Sequence, residues 1–340
     1  MYKGFRNMRD FKSILIFGGL GFIGSEYILK ARKRFPDAKI INFDSQNYAT
    51  SLHTKELLDT IENYIYIKSD IRYKDQVISA LKEFSPDLIV NFAAESHVDN
   101  SIESAEVFID TNIKGTFNIL EATRLIQDDG ENCILHHVST DEVFGDLDLE
   151  GTAKFSETTP YDPSSPYSAS KAASDHLVRA WARTYKINYL ITNCSNNFGP
   201  RQYTEKLIPK AINLLLDNKK VPIYGNGKNI RDWIYVGEHV DRLIDLQMSS
   251  AKNDTYLIGG NNELSNVEII KEIVSIIHPS GQWNPGEYIA FVDDRKGHDM
   301  RYAIDDTKMR NFLGKVDKES FSDQLQSTVT WYQKNLDWWE

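Results

Sequence analysis

At 340 residues, with 39 Lys+Arg against 49 Asp+Glu, the chain has a formal net charge of −10. No Lys/Arg block offsets that charge, which argues against a nucleic-acid partner, because affinity for a phosphate backbone comes from clustered cations. Hydrophobic residues at 41% and charged residues at 26% suffice to bury a core and exclude a disordered chain.

The two cysteines, Cys133 and Cys194, form no disulfide framework and lack metal-ligand spacing, so no metal is expected and a reducing, cytoplasmic setting is. Residues 1–12 are basic and precede an apolar run at 14–17, superficially like a secretion signal. Glycines at 18, 19, 21 and 24 break the run, and no small-residue cleavage site follows. No stretch approaches the roughly 18 uninterrupted apolar residues of a membrane span, and no membrane partner is expected.

Strands are predicted over 13–17, 39–43, 64–67, 88–92 and 134–138, with helices over 24–34, 73–84 and 107–125 between them. Alternating strand and helix predicts right-handed crossovers and a doubly wound α/β fold with a parallel sheet covered on both faces. A helix over 167–185 and a strand over 189–193 continue the rhythm, which then loosens around Pro209, Pro222, Gly225, Gly227 and the loop 279–285. We expect a dinucleotide-binding domain with the catalytic residues over 13–193, and a predominantly substrate-binding mixed α/β lobe over 194–340, some of whose chain returns to the first domain.

Directly after the first strand comes Gly18-Gly19-Leu20-Gly21-Phe22-Ile23-Gly24, opening a helix. Glycines there let the backbone turn tightly and approach a pyrophosphate whose charge sits at the helix N-terminus. Asp44 ends the next strand, where a carboxylate accepts the adenosine ribose hydroxyls, and Ser45, Gln46 and Asn47 follow it with no cation for a 2′-phosphate. NAD is therefore expected over NADP, against the plain alternative of a glycine turn with a solvated Asp. Asp70-Ile71 and Phe92-Ala93-Ala94 end the third and fourth strands at the same carboxyl edge, though small residues there also serve helix–sheet packing.

Tyr167 and Lys171 stand four apart, on one face of a helix. A phenol is a poor base at neutral pH, so a nearby ammonium is expected to favour its phenolate. Such a spacing is common on surface helices. It gains force from Ser139-Thr140-Asp141-Glu142, which follows the fifth strand and stands at the same sheet edge. Adjacent carboxyls are most often a solvated loop pair, but they can divide acid and base duties where their environments separate their pKa values.

With these motifs and Asn112-Ile113-Lys114-Gly115-Thr116, the chain resembles an extended short-chain dehydrogenase/reductase of Rossmann type. More narrowly, AAESHVDNS (93–101), STDEVFG (139–145), SPYSASKAASDHLV (165–178), NCSNNFGPRQYTEKLIP (193–209) and IRDWIYV (230–236) resemble the dTDP-glucose 4,6-dehydratase family. The resemblance implies tightly bound NAD, a homodimer, a nucleotide-sugar substrate and conversion of a nucleotide-linked glucose to its 4-keto-6-deoxy sugar. Thr140, Tyr167 and Lys171 then serve oxidation at carbon 4, Glu142 is the base at carbon 5, and Asp141 is the acid for the 6-hydroxyl.

Cofactor contacts implied by the resemblance are Gly18, Gly21, Phe22, Ile23, Gly24, Asp44, Ser45, Gln46, Asn47, Asp70, Ile71, Phe92, Ala93, Ala94, Ser96, Thr111, Tyr167, Lys171 and Asn197. Substrate contacts are Ser96, Thr140, Asn196, Lys206, Leu207, Pro222, Tyr224, Arg231, Asn266, Arg295 and His298. Arg231 and Arg295 suit a diphosphate by their guanidinium forks, and Tyr224 offers a π face to a base.

Several residues depart from the family pattern: Phe17 and Leu20 for Thr and Ala, Phe144 and Phe198 for Tyr, Asn100 for Arg, and Ser45-Gln46-Asn47 for Lys-Leu-Thr. Thymidine and uridine differ by one methyl group, worth about 1–3 kcal/mol in a pocket, so a UDP-glucose dehydratase stays open beside the dTDP-glucose reading. A nucleotide-sugar epimerase or decarboxylase is a further alternative, disfavoured by Asp141-Glu142, and a non-catalytic NAD-binding protein is the alternative from another class.

Overall fold

Strands β1 (Ser13–Phe17), β2 (Lys39–Asp44), β4 (Leu88–Asn91), β5 (Ile134–Thr140) and β6 (Tyr189–Cys194) are buried almost throughout. Runs apolar on both faces suit a parallel sheet sandwiched by helices. With β3 (Tyr64–Lys68) and β10 (Asp254–Ile258) they form a seven-stranded parallel sheet in the order β10-β6-β5-β4-β1-β2-β3. The computed structural model describes residues 8–130, 132–314 and 319–339. Seven of the twelve residues of the signal-like start lie outside it.

Helices α1 (Phe22–Arg34), α2 (Leu52–Asp59), α3 (Lys74–Phe84), α4 (Val98–Glu103), α5 (Glu106–Phe108), α6 (Thr116–Asp128) and α7 (Pro166–Tyr185) accompany the first six strands. One apolar layer joins α1 and the later helix α9 (Val236–Met248) to one sheet face, and the other packs α3, α6 and α7 against the opposite face. The doubly wound expectation is met, strand for strand.

The predicted helix over 107–125 is interrupted: Ile109–Gly115 is a π-helical stretch between α5 and α6. Its wider turn seats Asn112, whose Nδ2 donates to the Glu95 carbonyl at 3.0 Å and to Ser170 Oγ at 2.8 Å, while Ser174 Oγ donates to the Asn112 carbonyl at 2.6 Å. Helix α7 is thereby drawn against the segment after β4. Helices α2 and α4 are additions to the predicted set, each started by a side-chain cap, Ser51 on Thr54 N–H and His97 on Asn100 N–H.

Beyond β6 the elements are short: β7 (Asn196–Phe198), α8 (Leu207–Leu216), β8 (Val221–Tyr224), β9 (Ile230–Tyr235), β11 (Glu263–Ser265), α10 (Asn266–Ile277), α11 (Pro285–Tyr288), β12 (Ile289–Val292), α12 (Thr307–Leu313) and α13 (Phe321–Lys334). A three-stranded sheet β11-β9-β7 and a parallel pair β12-β8 lie outside the main sheet. Their apolar faces meet α8, α10 and α13 in a separate core containing Phe198, Trp233, Ile269 and Tyr332. Residues 194 and 196–198 run straight from the main sheet into this second sheet, so one segment carries side chains to both sides of the cleft.

Candidate active site

A cavity of about 540 Å³ runs along the carboxyl edge of the sheet, from the β1–α1 turn to the ends of β5 and β6. The sheet order reverses at β1, between β2 and β4, the place where open α/β sheets hold ligands. Gly18 turns there with φ +80°, and a Cβ on it would meet Ala93 N at 2.6 Å. A Cβ on Gly24 would meet the Gly18 carbonyl oxygen at 2.2 Å. Helix α1 starts at Gly21 with no side-chain cap, which leaves its first amides for a ligand's oxygens.

Asp44 stands at the far wall, its Oδ2 accepting from Leu20 N–H at 2.9 Å and its Oδ1 from Gln46 N–H at 2.8 Å. Burial, and Asp70 nearby, push its carboxyl up, against the pull of those two amides. Ser45, Asn47, Asp70, Ile71, Phe92, Ala93, Ala94, Ser96, Thr111 and Asn197 line the same cavity, whereas Gln46 turns its side chain to the Tyr66 hydroxyl at 3.4 Å. Asp70 is held by Arg72, Nη2 to Oδ2 at 2.7 Å. A glycine cradle, open helix amides and a carboxylate lining the same cavity fit a dinucleotide.

At the other end, Ser165 and Ser168 cap α7 reciprocally and Pro166 opens its first turn, which fixes Tyr167 beside the end of β5. Tyr167 and Lys171 are buried and line the cavity with Thr140, Asp141 and Glu142. Asp141 is buried; Thr140 Oγ1 donates to its Oδ1 at 3.3 Å, and its Oδ2 has no hydrogen-bond partner. Burial, Glu142 and Asp232 push this carboxyl well up, with Arg231 opposing. Glu142 is raised by burial but restrained by Arg295, Arg231 and Lys206. The adjacent carboxyls are thus split: Asp141 keeps its proton more firmly, and three cations favour the ionised form of Glu142.

One electrostatic expectation needs correction. Burial, then Glu142, Cys194 and Asp141, drive the Tyr167 phenol well above its ordinary value, with Thr140 pulling the other way. Those are its largest influences, while Lys171 on the same wall has its Nζ donating to the Val138 carbonyl at 2.9 Å. Spacing on a helix brought the two side chains to one wall, but a carbonyl at the end of β5 competes for the ammonium.

Of the residues expected to hold substrate, Ser96, Thr140, Asn196 and Lys206 line the cavity, and Lys206 Nζ donates to the Ser96 carbonyl at 2.8 Å. Arg231 lies buried beyond the carboxyls, its Nη2 donating to the Asp299 carbonyl at 3.0 Å and its guanidinium 4.1 Å above the Tyr302 ring. Tyr224 and Arg295 converge on Asp99 of α4, at 3.0 and 3.5 Å, and His298 packs beside Tyr224 with its Nδ1 2.7 Å from Asp294. Leu207, Pro222 and Asn266 do not line the cavity.

Sequence reasoning missed Glu95, Gln202, Tyr203 and Glu205, which line the cavity from loops. Three of these lie in the 193–209 motif, whose position after a sheet strand was the available signal. It also missed the chain's end: Trp339 packs on Tyr203 at 4.9 Å between ring centres, and Ser51 Oγ donates to the Trp338 carbonyl at 2.6 Å. Among the described residues no helix is long and apolar enough to cross a membrane.

A family model described as GDP-mannose 4,6 dehydratase matches residues 15–328. The chain is 44% identical over 341 residues to a dTDP-glucose 4,6-dehydratase of Neisseria meningitidis serogroup B, covering 97% of this chain and 95% of that protein. It is 42% identical over 339 residues to dTDP-glucose 4,6-dehydratase 1 of Escherichia coli K12, covering 96% and 94%. Among solved structures, a dTDP-glucose 4,6-dehydratase from Streptomyces venezuelae with NAD bound superposes with TM-score 0.88 at 39% identity, covering 96% of this chain and 99% of that one. A UDP-glucose 4-epimerase from Thermotoga maritima, at 23% identity and TM-score 0.84, shares the fold.

Proposed function

The chain belongs to the dTDP-glucose 4,6-dehydratase family, and from that membership and the cavity's geometry we propose that it converts dTDP-glucose to dTDP-4-keto-6-deoxyglucose and water. The observation that carries the reading is the split carboxyl pair Asp141-Glu142 on the same wall as Tyr167 and Lys171. NAD is the cofactor, and when bound it supplies the reversible hydride acceptor that serves carbon 4 and then carbon 6.

The chain's residues handle the protons. Tyr167 takes the proton of the 4-hydroxyl as its phenolate, with Thr140 hydrogen-bonded to its oxygen and the Lys171 side chain on the same wall. Its own high proton affinity falls when Asp141 is protonated, since one of the anions facing it is then gone. Oxidation at carbon 4 acidifies carbon 5, whose proton passes to Glu142. Asp141 gives its proton to the 6-hydroxyl as the bond to carbon 6 breaks, and water leaves. Carbon 5 then regains a proton, so that hydrogen is returned at both carbons and the net change is loss of one water.

Gly18, Gly21 and Gly24 with the α1 amides hold the cofactor's pyrophosphate, Asp44 its adenosine ribose, and Asn197 and Lys171 its other end. Ser96, Asn196, Lys206, Arg231 and Arg295 serve the nucleotide sugar, with Tyr224, Asn266 and His298 nearer its nucleoside end. This assigns 13–193 to the cofactor and catalysis and 194–340 predominantly to substrate. Two copies form a homodimer, supported by exposed apolar side chains at Ile102, Ile109 and Tyr185 on neighbouring elements; light scattering of the purified chain tests it. Cys133 and Cys194 are buried and not joined in a disulfide, which suits a cytoplasmic location.

The deciding experiment incubates the purified protein with dTDP-glucose and UDP-glucose in parallel and weighs the products. Loss of one water and a keto sugar, faster with dTDP-glucose, is expected. An unchanged product mass would leave an epimerase, and no turnover with bound NAD would leave a binding protein.

A further inference from the structure

Behind Tyr167 and Lys171 lies a sealed polar cluster with no part in the steps above. Asp175 sits on α7 one turn beyond Lys171, so Tyr167, Lys171 and Asp175 recur at four-residue spacing along one helix face. Its carboxylate is fully buried. Oδ2 accepts from the Tyr161 hydroxyl at 2.7 Å and from Asn193 Nδ2 at 3.1 Å, and His137 on β5 turns Nε2 toward Oδ1 at 3.3 Å. Two links lead from this cluster back to the reacting wall: Asn193 Nδ2 also donates to the Thr140 carbonyl at 3.0 Å, and Lys171 Nζ donates to the Val138 carbonyl.

A buried carboxylate persists only with compensation. Asn91 Nδ2 lies 3.2 Å from His137 Nδ1, and burial, then Lys171, push His137 down against the pull of the Asp175 carboxylate, which disfavours a charged ring. Arg179 reaches the carboxylate through the Tyr161 hydroxyl, to which its Nη2 donates at 2.7 Å. Lys171 is the fully buried cation beside Asp175. Burial alone drives an ammonium to shed its proton, and Asp175, then Cys194, are the groups that oppose this at Lys171. The favour is returned: His137, Lys171 and Tyr161 hold the Asp175 carboxyl down to about 2 despite its burial.

Resting on the function above, we propose that Asp175 is a positioning residue, the buried counter-charge that keeps Lys171 protonated and in place at the working wall. It touches neither substrate nor cofactor. It acts through Lys171, and through Asn193 on the backbone of Thr140.

The test measures Lys171 directly, without substrate, by trace acetylation with acetic anhydride across pH and mass spectrometry of its peptide. In Asp175→Asn the reactivity midpoint of Lys171 should fall relative to wild type, and Asp175→Glu should restore most of the loss. The alkaline limb of single-turnover oxidation should move down by a similar amount in Asp175→Asn. An unchanged Lys171 midpoint in a folded Asp175→Asn protein overturns the proposal, since a purely structural Asp175 would leave that midpoint alone. If Asp175→Asn is too unstable to purify, Lys171→Met is compared with Asp175→Asn/Lys171→Met. A higher melting temperature in the double variant supports the pairing, because removing the cation strands the anion, and an equal or lower one overturns it. A wild-type protein that turns over no nucleotide sugar removes the proposed function, and the acetylation midpoints still decide the role of Asp175.

Discussion

Replacing Glu142 by Gln keeps the side chain's shape and removes its capacity to take a proton. Arg295, Arg231 and Lys206 restrain the rise of the Glu142 carboxyl, whereas Asp141 faces Glu142 and Asp232 with only one cation, Arg231, and the Thr140 hydroxyl opposing. On the proposed mechanism this difference makes Glu142 the base and Asp141 the proton carrier. A positioned general base contributes about 10²–10⁴-fold, which is about 3–5 kcal/mol of barrier. Glu142→Gln should lose that much from deprotonation at carbon 5 and leave oxidation at carbon 4 nearly untouched. In heavy water, wild type and Asp141→Asn should place deuterium at carbon 5, Asp141→Asn faster than it forms product. Glu142→Gln should place none, and rapid mixing should show reduced nicotinamide accumulating. Deuterium entering Glu142→Gln at the wild-type rate would refute the assignment, and loss of exchange in Asp141→Asn alone would exchange the two roles.

Gly24→Val drives a Cβ to 2.2 Å from the Gly18 carbonyl oxygen and 2.8 Å from Gly19 Cα, both backbone. The turn must shift, at about 1–3 kcal/mol, and NAD retained through purification should fall sharply; a variant with wild-type melting temperature and cofactor content would sink the cradle assignment. His136 and His239 are buried neutral, each pushed down to about 3. The unfolded chain takes up protons on these rings below its reference of 6.5 while the folded chain refuses them, so stability falls as pH drops through that window. At 1.36 kcal/mol per pH unit, the loss is about 2 kcal/mol per ring at about pH 5. Asp232, raised to about 6 from 3.8, binds its proton first when folded and offsets part of this. His136→Gln should therefore recover about 2 kcal/mol relative to wild type between about pH 8 and pH 5, read by urea unfolding; parallel curves would remove His136 as the cause.

Much of this architecture is legible because it is local. The first six strands announce themselves as apolar runs, and Gly18 to Gly24 with Asp44 follows from what a turn and a ribose require. Tyr167 and Lys171 reach one wall by helix spacing alone. What sequence could not supply depends on partners far along the chain. The π-helical stretch at Ile109–Gly115 has the composition of an ordinary helix, and only Glu95, Ser170 and Ser174 explain why Asn112 needs the wider turn. Burial, with Glu142, Cys194 and Asp141 close by, overturned an expectation for Tyr167 that considered only its spacing from Lys171. Tyr224 and Arg295 meeting on Asp99 spans 125 and 196 residues, beyond any periodic signal.

The site's electrostatics explain why distant segments must converge. A carboxylic acid that donates a proton near neutral pH cannot be made by a dipeptide in water, where both groups ionise near pH 4. Burial against the end of β5 and a second anion, Asp232 from β9, push Asp141 up. Keeping its neighbour ionised takes cations that act more on Glu142 than on Asp141, and Lys206, Arg231 and Arg295 come from three separate stretches of the later chain. The motif STDEVFG therefore supplies two chemically similar groups, and the lobe folded over it makes them different. Removing the positive charge at Arg295, which restrains Glu142 without figuring among the main influences on Asp141, leaves less of Glu142 ionised and the acid almost as it was. The division of labour between adjacent carboxyls is thus a property of the closed fold, and the neighbouring residues alone do not contain it.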